Sequence, residues 1–429
     1  MEMQQLSRSI RKMAPLVVPA AVVIVGVHVI DASLLHISKP LLVRLLTSLV
    51  AAVLTAATVR HYGALPAAWH GSLALGVGLP AMVFGAGVHA THVYLLGFND
   101  SDYTGIPMML AGLLLSVIGT SILVRQVRAW WRRLLLVPIG LAVAIFLIAP
   151  FAMAVYATNI GRLPASSGEL PADRGLIYED VTFETKQGLT ISAWYIPSRN
   201  GAAIITVHGA GKNRATVMDE AELLARHGYG VLMVDLEGFG DSEGRGNAMG
   251  WIGARDIKAA VAYLGTREEI APGAIGGLGL SMGGEVLLQA AAEIPDLAAV
   301  VSEGGTNRTL ADVKELDGTG KEAVHVFFFV MQSAMHLLSH EPPPPPLKEL
   351  VTKIGPRPVL LIAANIAMER DFMSLYQEVG GPSFELWTIS EPRHVGAFDL
   401  HPQEYEQRVI AFFDDALLGK AAPSATSAR

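Results

Sequence analysis

The sequence contains no cysteine and few charged residues. Without cysteine the chain can form no disulfide, no thiolate metal site and no cysteine nucleophile. Charged residues make up 17% of the 429 residues, a length sufficient for two or three domains. The formal net charge is −7, and no basic run occurs after Arg133. These features argue against nucleic-acid binding.

The first 160 residues hold most of the apolar excess. Hydrophobic residues form 51% of the sequence and the mean hydropathy is +0.41. Five apolar stretches are each close to the ~20 residues that cross a bilayer. They cover residues 15–35, 41–59, 69–98, 106–124 and 134–156. We therefore predict an all-α, multi-pass transmembrane domain at 1–160, with about five helices and the lipid bilayer as its partner.

The basic residues between these stretches predict their orientation. Arg8, Arg11 and Lys12 precede the first stretch, and Arg125, Arg128, Arg132 and Arg133 lie between the fourth and fifth. The segment 99–105 has no basic residue and contains two aspartates. Short cytoplasmic loops retain Lys and Arg. The N-terminus is therefore predicted to be cytoplasmic, and everything after the fifth helix extracytoplasmic.

Two pairs of polar residues interrupt the apolar stretches. His28 and Asp31 are three residues apart, as are His89 and His92, so each pair shares one helix face. Polar residues at membrane depth either hydrogen-bond between helices or form a metal or proton site. We predict interhelical hydrogen bonding, with a metal or proton site as the alternative.

Beyond residue 160 the sequence becomes typical of a second, α/β domain at 175–420. A Gly-, Pro- and Ser-rich linker at 161–174 precedes it, and a disordered tail is expected at 421–429. Alternating patterns predict an eight-stranded, mostly parallel sheet. The predicted strands are 177–184, 190–196, 203–207, 230–235, 274–279, 298–302, 358–363 and 383–389, and the predicted helices are 215–227, 251–264, 282–293, 369–379 and 402–418. A cap insertion is expected at 304–356, with an apolar helix at 325–338 and an extended proline run at 342–346.

Gly-x-Ser-x-Gly occurs twice, around Ser242 and around Ser281. Ser281 follows an apolar strand and precedes a helical pattern, as a strand-to-helix nucleophile elbow requires. Ser242 lies among acidic residues, which would oppose an oxyanion, and is better interpreted as closing a turn that begins at Asp235. We predict that Ser281 is the nucleophile.

A serine nucleophile needs a base and an acid that orients it. His394 follows the last predicted strand and is the predicted base, whereas His401, beside Pro402, is predicted to be a cap or surface residue. The acid should follow the 358–363 strand. Glu369 is favoured over Asp371 there, and Glu303, after the sixth strand, is a third possibility.

These motifs, together with His208-Gly-Ala-Gly after the third strand, occur in the chain order of the α/β-hydrolase superfamily. Residues 175–420 resemble its bacterial dienelactone-hydrolase and prolyl-oligopeptidase-like branch, including the Pro-Arg-Pro-Val-Leu-Leu-Ile segment at 356–362. The resemblance implies an oxyanion hole formed by the N–H of Met282 and that of Ala210 or Gly209. It also implies acyl transfer to water without a cofactor or metal.

Small-molecule or lipid-like carboxylic esters are the expected substrates. A peptidase or amidase, an acyltransferase, and a non-catalytic transporter or receptor with a degenerate hydrolase domain are the alternatives.

Overall fold

The computed structural model describes two compact units, Met1–Gly161 and Arg162–Arg429. The described residues are 2–35, 41–86, 89, 102–126, 142–159, 169–244, 248–314 and 321–419. The predicted tail at 421–429 and the greater part of the predicted linker lie outside them. Residues 169–174, also predicted as linker, belong to the second unit and pack within it. Pro171 is buried, and Arg174 bonds to Asp219 at 2.5 Å and to Glu222 at 2.9 Å.

The first unit is helical, and each of the five apolar stretches contains a described helix. The helices are α1 (Glu2–Leu35), α2 (Leu41–His61), α3 (Ala67–Gly85), α4 (Asp102–Gln126) and α5 (Ala149–Asn159), the last preceded by a π-helical segment, Ala144–Ile148. The remainder of the predicted third helix, apart from 86 and 89, and the first part of the fifth lie outside the described residues.

Two of these helices are long and apolar enough to cross a membrane, at Ala14–Asp31 and Tyr103–Gln126. Ile145–Thr158 is a shorter apolar helix. A third of each longer segment is buried within the protein. Two such helices do not distinguish a membrane anchor from the core of a helical domain. The five-helix, multi-pass arrangement therefore stays a prediction.

Helices α3 and α4 pack with their backbones in contact through glycine. A Cβ added to Gly112 would lie 2.4 Å from the Met82 nitrogen, and one added to Gly78 would lie 2.7 Å from the Gly112 carbonyl oxygen. Any larger residue would force the helices apart. Small residues at such contacts allow close helix packing where no hydrophobic force drives it.

The polar residues of this unit form the predicted bonds between helices. His28 Nδ1 lies 2.9 Å from Thr104 Oγ1, which donates to Asp31 at 2.7 Å. His89 Nε2 lies 3.3 Å from His28 Nε2. Interhelical hydrogen bonding is thus confirmed for His28, Asp31 and His89, whereas His92 lies outside the described residues.

The second unit is an eight-stranded sheet in the order β1-β2-β4-β3-β5-β6-β7-β8. Strand β2 pairs antiparallel with β1 and β4, and the other pairs are parallel. The strands are β1 (Glu179–Glu184), β2 (Thr190–Ile196), β3 (Ala203–Val207), β4 (Gly230–Val234), β5 (Ile275–Leu280), β6 (Leu297–Glu303), β7 (Val359–Ala363) and β8 (Phe384–Thr388). This is the α/β-hydrolase fold, and the eight predicted strands are confirmed within two residues at each end.

Helices cover both faces of this sheet, since its central strands are buried along their whole length. They are α6 (Met218–Arg226), α7 (Gly253–Leu264), α8 (Met282–Glu293), α9 (Leu310–Val313), α10 (Lys321–Ser339), α11 (Leu347–Val351), α12 (Ala367–Gly380), α13 (Ala397–Leu400) and α14 (Pro402–Leu418). Parallel strands bring their carboxyl ends to one edge of the sheet, where β3, β5, β6 and β7 deliver the predicted site residues.

The predicted cap contains helices α9, α10 and α11. Helix α10 buries only Met331, Ala334 and Met335, while Phe329 and Leu337 remain 59% and 69% exposed. The proline run after it is extended, because proline cannot continue a helix.

Candidate active site

Ser281 stands on a sharp turn between β5 and α8. Its backbone has φ 53° and ψ −118°, a conformation that non-glycine residues adopt at a cost. The neighbouring glycines make the turn possible. A Cβ on Gly283 would lie 2.3 Å from the Val207 carbonyl oxygen, and one on Gly279 would lie 2.4 Å from the Gly283 carbonyl carbon. The motif therefore provides the room that the elbow needs.

The structure places the predicted base and acid in line with this serine. His394 Nε2 lies 2.9 Å from Ser281 Oγ, and His394 Nδ1 lies 2.5 Å from Glu369 Oε1. The other oxygen of Glu369 accepts the Ala364 N–H at 2.9 Å. Glu369 is 2% exposed, so this carboxylate is held by the histidine and the backbone rather than by water. The geometry is that of a Ser–His–acid triad.

Hydrogen bonding to Glu369 raises the pKa of His394, and partial burial opposes that rise. The negative charge of Glu369 also favours the protonated ring. Glu285 and Glu303 add to this when they are ionised, but burial raises their own pKa values to about 8 and about 7. A general base must be neutral to accept a proton. These carboxylates therefore stabilise the imidazolium form of His394 and raise the pH at which its ring becomes neutral.

The alternative candidates for the acid and the base, Asp371 and His401, lie away from Ser281. Asp371 is exposed on α12, two residues beyond the buried Glu369. His401 is the N-cap residue of α14, and its ring bonds to Glu391 at 2.8 Å. Neither is brought to Ser281.

The predicted oxyanion-hole residues lie on either side of Ser281. Met282 is the first residue of α8, so its N–H has no acceptor within the helix. Gly209 lies close to Ser281, since a Cβ built on it would be 3.6 Å from Ser281 Cβ. Ala210, the other predicted donor, is the next residue of the same loop and is partly exposed.

His208 holds the loop that contains Gly209 and Ala210 in place. The sequence did not reveal this role. His208 is fully buried, with Nδ1 2.8 Å from the Gly209 carbonyl oxygen and Nε2 3.3 Å from the Leu236 nitrogen. Burial lowers the pKa of His208. A neutral ring that donates from Nδ1 and accepts at Nε2 satisfies both bonds. His208 thus joins the oxyanion loop to the end of β4.

The Gly-x-Ser-x-Gly motif around Ser242 closes a turn, as predicted. Ser242 is fully buried, donates to the Asp235 carbonyl oxygen at 2.7 Å and accepts the Ser192 N–H at 2.8 Å. Arg214 forms an ion pair with Asp235 and bonds to Asp241 at 2.8 Å. The sequence analysis did not identify Arg214, which lies three residues beyond the His-Gly-Ala-Gly motif and stacks on Trp194.

Comparison with protein families agrees with this fold. Residues 182–347 match the family model of the X-Pro dipeptidyl-peptidases (S15 family). That region covers less than half of the chain and includes Ser281, but ends before Glu369 and His394.

Three relatives illustrate the range of similar proteins. An uncharacterized protein of Mycobacterium tuberculosis (strain H37Rv) is 31% identical over 162 residues, 37% of this chain and 54% of that protein. The match thus spans about half the length of that relative. The alpha/beta hydrolase domain-containing protein WAV2 of Arabidopsis thaliana is 26% identical over 42% of this chain and 62% of its own. The esterase Pf2001 of Pyrococcus furiosus is a solved structure with a TM-score of 0.48 and 23% identity, covering 61% of this chain and 98% of its own.

Proposed function

We propose that this protein is a membrane-anchored serine hydrolase that cleaves carboxylic esters through an acyl-enzyme. The observation that carries the proposal is the line of bonds from Ser281 Oγ through His394 to Glu369, at 2.9 and 2.5 Å. A serine at its ordinary pKa is a weak nucleophile, and a histidine held in this way can remove its proton as it attacks.

The acylation step follows from the geometry. Ser281 Oγ attacks the substrate carbonyl carbon, while its proton passes to His394 Nε2. The carbonyl π electrons move to the oxygen, which is held by the N–H of Met282 and that of Gly209 or Ala210. When the tetrahedral intermediate collapses, the ester C–O bond breaks and the leaving alkoxide takes the proton from His394. The acyl group then remains on Ser281.

Deacylation repeats these steps with water. His394 Nε2 removes a proton from water as the water oxygen attacks the acyl carbon, and the proton then returns to Ser281 as the ester bond to the serine breaks. Glu369 keeps the Nδ1 proton in place throughout, so that Nε2 always faces the reacting atoms.

Labelling with a fluorophosphonate probe tests this proposal directly, because the probe phosphonylates an activated serine without knowledge of the substrate. We expect the label on the peptide that contains Ser281. A correctly folded protein that stays unlabelled at every pH would instead favour the non-catalytic transport or receptor alternative.

The leaving group separates esterase from peptidase. The S15 match supports the second candidate, cleavage of an amide after proline. A matched set of p-nitrophenyl esters and X-Pro anilides can be tested as competitors, and a compound that binds the site should protect Ser281 by slowing its labelling with the probe. Protection by long-chain esters supports a lipid-like substrate, which we favour because α10 offers exposed apolar surface. Protection by the X-Pro anilides alone would assign the protein to the peptidases.

The membrane part of the proposal has its own support and test. Two helices have the length and apolarity of spans, and basic residues flank the apolar stretches as described above. We propose a multi-pass domain that delivers the hydrolase unit to the extracytoplasmic side. Protease added to intact spheroplasts should digest the hydrolase unit. Protection until the cells are lysed would place that unit in the cytoplasm.

A further inference from the structure

Glu303, the last residue of β6, bonds both to Ser281 and to the loop that carries His394. Its carbonyl oxygen accepts the Ser281 N–H at 2.7 Å. Its side-chain Oε1 accepts the Ala397 N–H at 2.9 Å, three residues beyond His394. The residue is 3% exposed. One buried glutamate thus connects the backbone of the nucleophile to the loop that carries the base.

That loop adopts a conformation that needs support. Val395, directly after His394, has φ 52°, which a β-branched residue adopts only when its surroundings impose it. Gly304, directly after Glu303, lies against the histidine ring, and a Cβ there would be 2.8 Å from His394 Cε1. The bond from Ala397 to Glu303 fixes the loop just beyond this strained residue.

The surroundings of Glu303 oppose its ionisation. Burial raises the pKa of Glu303 to about 7, and the negative charges of Glu369 and Asp399 add to this, whereas His394 and the Ala397 N–H lower it. Glu220, on α6, is also buried, and its pKa is raised to about 8. Burial, followed by the negative charge of the neighbouring Glu303, raises the pKa of the Tyr405 hydroxyl, on α14.

We propose that Glu303 is a positioning residue that holds the His394 loop against β6 and whose charge sets the pH at which His394 becomes an active base. The inference rests on the proposed triad and assigns a role to a carboxyl that the triad does not use. Glu369 orients the ring through Nδ1, while Glu303 acts from the adjacent strand, through the loop backbone and through its charge.

The sign of the effect follows from the charges. Ionised Glu303 favours protonated His394, which is inactive as a base. Removing this charge should therefore make His394 lose its proton at lower pH. Glu303→Gln keeps an oxygen for the Ala397 N–H but carries no charge. Because Glu303, with a pKa of about 7, is only partly ionised where His394 titrates, we expect the acidic limb of the pH profile of the labelling rate to move down by about half a pH unit. The rate at the plateau of that profile should change less than about threefold.

Glu303→Asp provides the complementary variant. It keeps the charge but is one methylene shorter, so its oxygen should no longer reach the Ala397 N–H. We expect the acidic limb to stay within a few tenths of a unit of wild type. The plateau should fall roughly tenfold or more, since the base is then less well placed. Glu220→Gln is the control, because Glu220 is also a buried glutamate but forms no bond to the loop that carries His394. This variant should keep the wild-type pH of the acidic limb and the wild-type labelling rate at the plateau.

The measurement is the rate of fluorophosphonate labelling of the full chain between about pH 5 and pH 9, a range that covers the histidine titration. Thermal unfolding of each variant checks that it is folded. If folded Glu303→Gln has its acidic limb at the same pH as the wild type, the inference is overturned. Loss of labelling at every pH in that variant would also overturn it, by making Glu303 the orienting acid. Failure of the wild type to label would instead refute the proposed function, so the two failures are distinguishable.

Discussion

The two Gly-x-Ser-x-Gly motifs, 39 residues apart by their serine numbers 242 and 281, have opposite surroundings. Ser281 is partly exposed, stands at φ 53° and faces His394. Ser242 is fully buried, and its hydroxyl hydrogen-bonds to two backbone groups, as donor to the Asp235 carbonyl and acceptor from the Ser192 N–H. The same five-residue pattern thus produces a candidate nucleophile in one place and a structural turn in the other.

The difference comes from what the glycines face. Gly279 and Gly283 allow the backbone of the elbow to approach itself and the end of β3. Gly240, at φ 49°, instead makes room for a side chain, since a Cβ there would lie 1.9 Å from Asp235 Oδ2. A glycine pattern therefore predicts a tight turn, and the strand before it and the helix after it decide whether a hydroxyl is presented.

The largest expected effect is the loss of covalent chemistry at one serine alone. Ser281→Ala should abolish probe labelling and lower kcat by about 10³-fold or more, because no other group can form the acyl-enzyme. Ser242→Ala should keep the label in the folded fraction. Labelling that survives Ser281→Ala would end the distinction between the motifs.

The acid sharpens the comparison, because only Ser281 is expected to depend on a distant carboxylate. Glu369→Gln should lower kcat by about 10²- to 10⁴-fold, since the amide can donate to His394 and favour the wrong tautomer. Asp371→Asn, an exposed change on the same helix, should stay within about twofold of wild type. The two rates are compared with a single activated ester, and the reverse ranking would transfer the role to Asp371.

The smallest expected effect concerns the free energy of unfolding. Here the substitution of Ser242, rather than that of Ser281, should have the larger effect. Ser242→Ala leaves the buried Asp235 carbonyl oxygen and the half-buried Ser192 N–H without their partner, and should cost about 1–3 kcal/mol of unfolding free energy. Ser281→Ala, at a partly exposed site, should change it by less than about 1 kcal/mol. Thermal or denaturant unfolding of the two variants provides the comparison. Equal losses would mean that the buried turn around Ser242 contributes little to stability.

Much of the fold was predictable from local patterns. The strands could be located because continuous apolar runs between turn residues are typical of buried parallel strands. Ser281 stood out from Ser242 on that same local context. In the first unit, apolar length predicted the described helices, but no local pattern states how many of them cross a membrane.

The acid, by contrast, depended on the tertiary structure. The sequence left Glu369, Asp371 and Glu303 open, because all three follow neighbouring strands and chain order does not specify a side chain's direction. In the folded protein Glu369 is buried and reaches His394, Asp371 is exposed on the next part of the helix, and Glu303 holds Ala397. Residue type and strand order follow from the chain itself, whereas a distance of 2.5 Å between residues 25 positions apart exists only once the sheet has assembled.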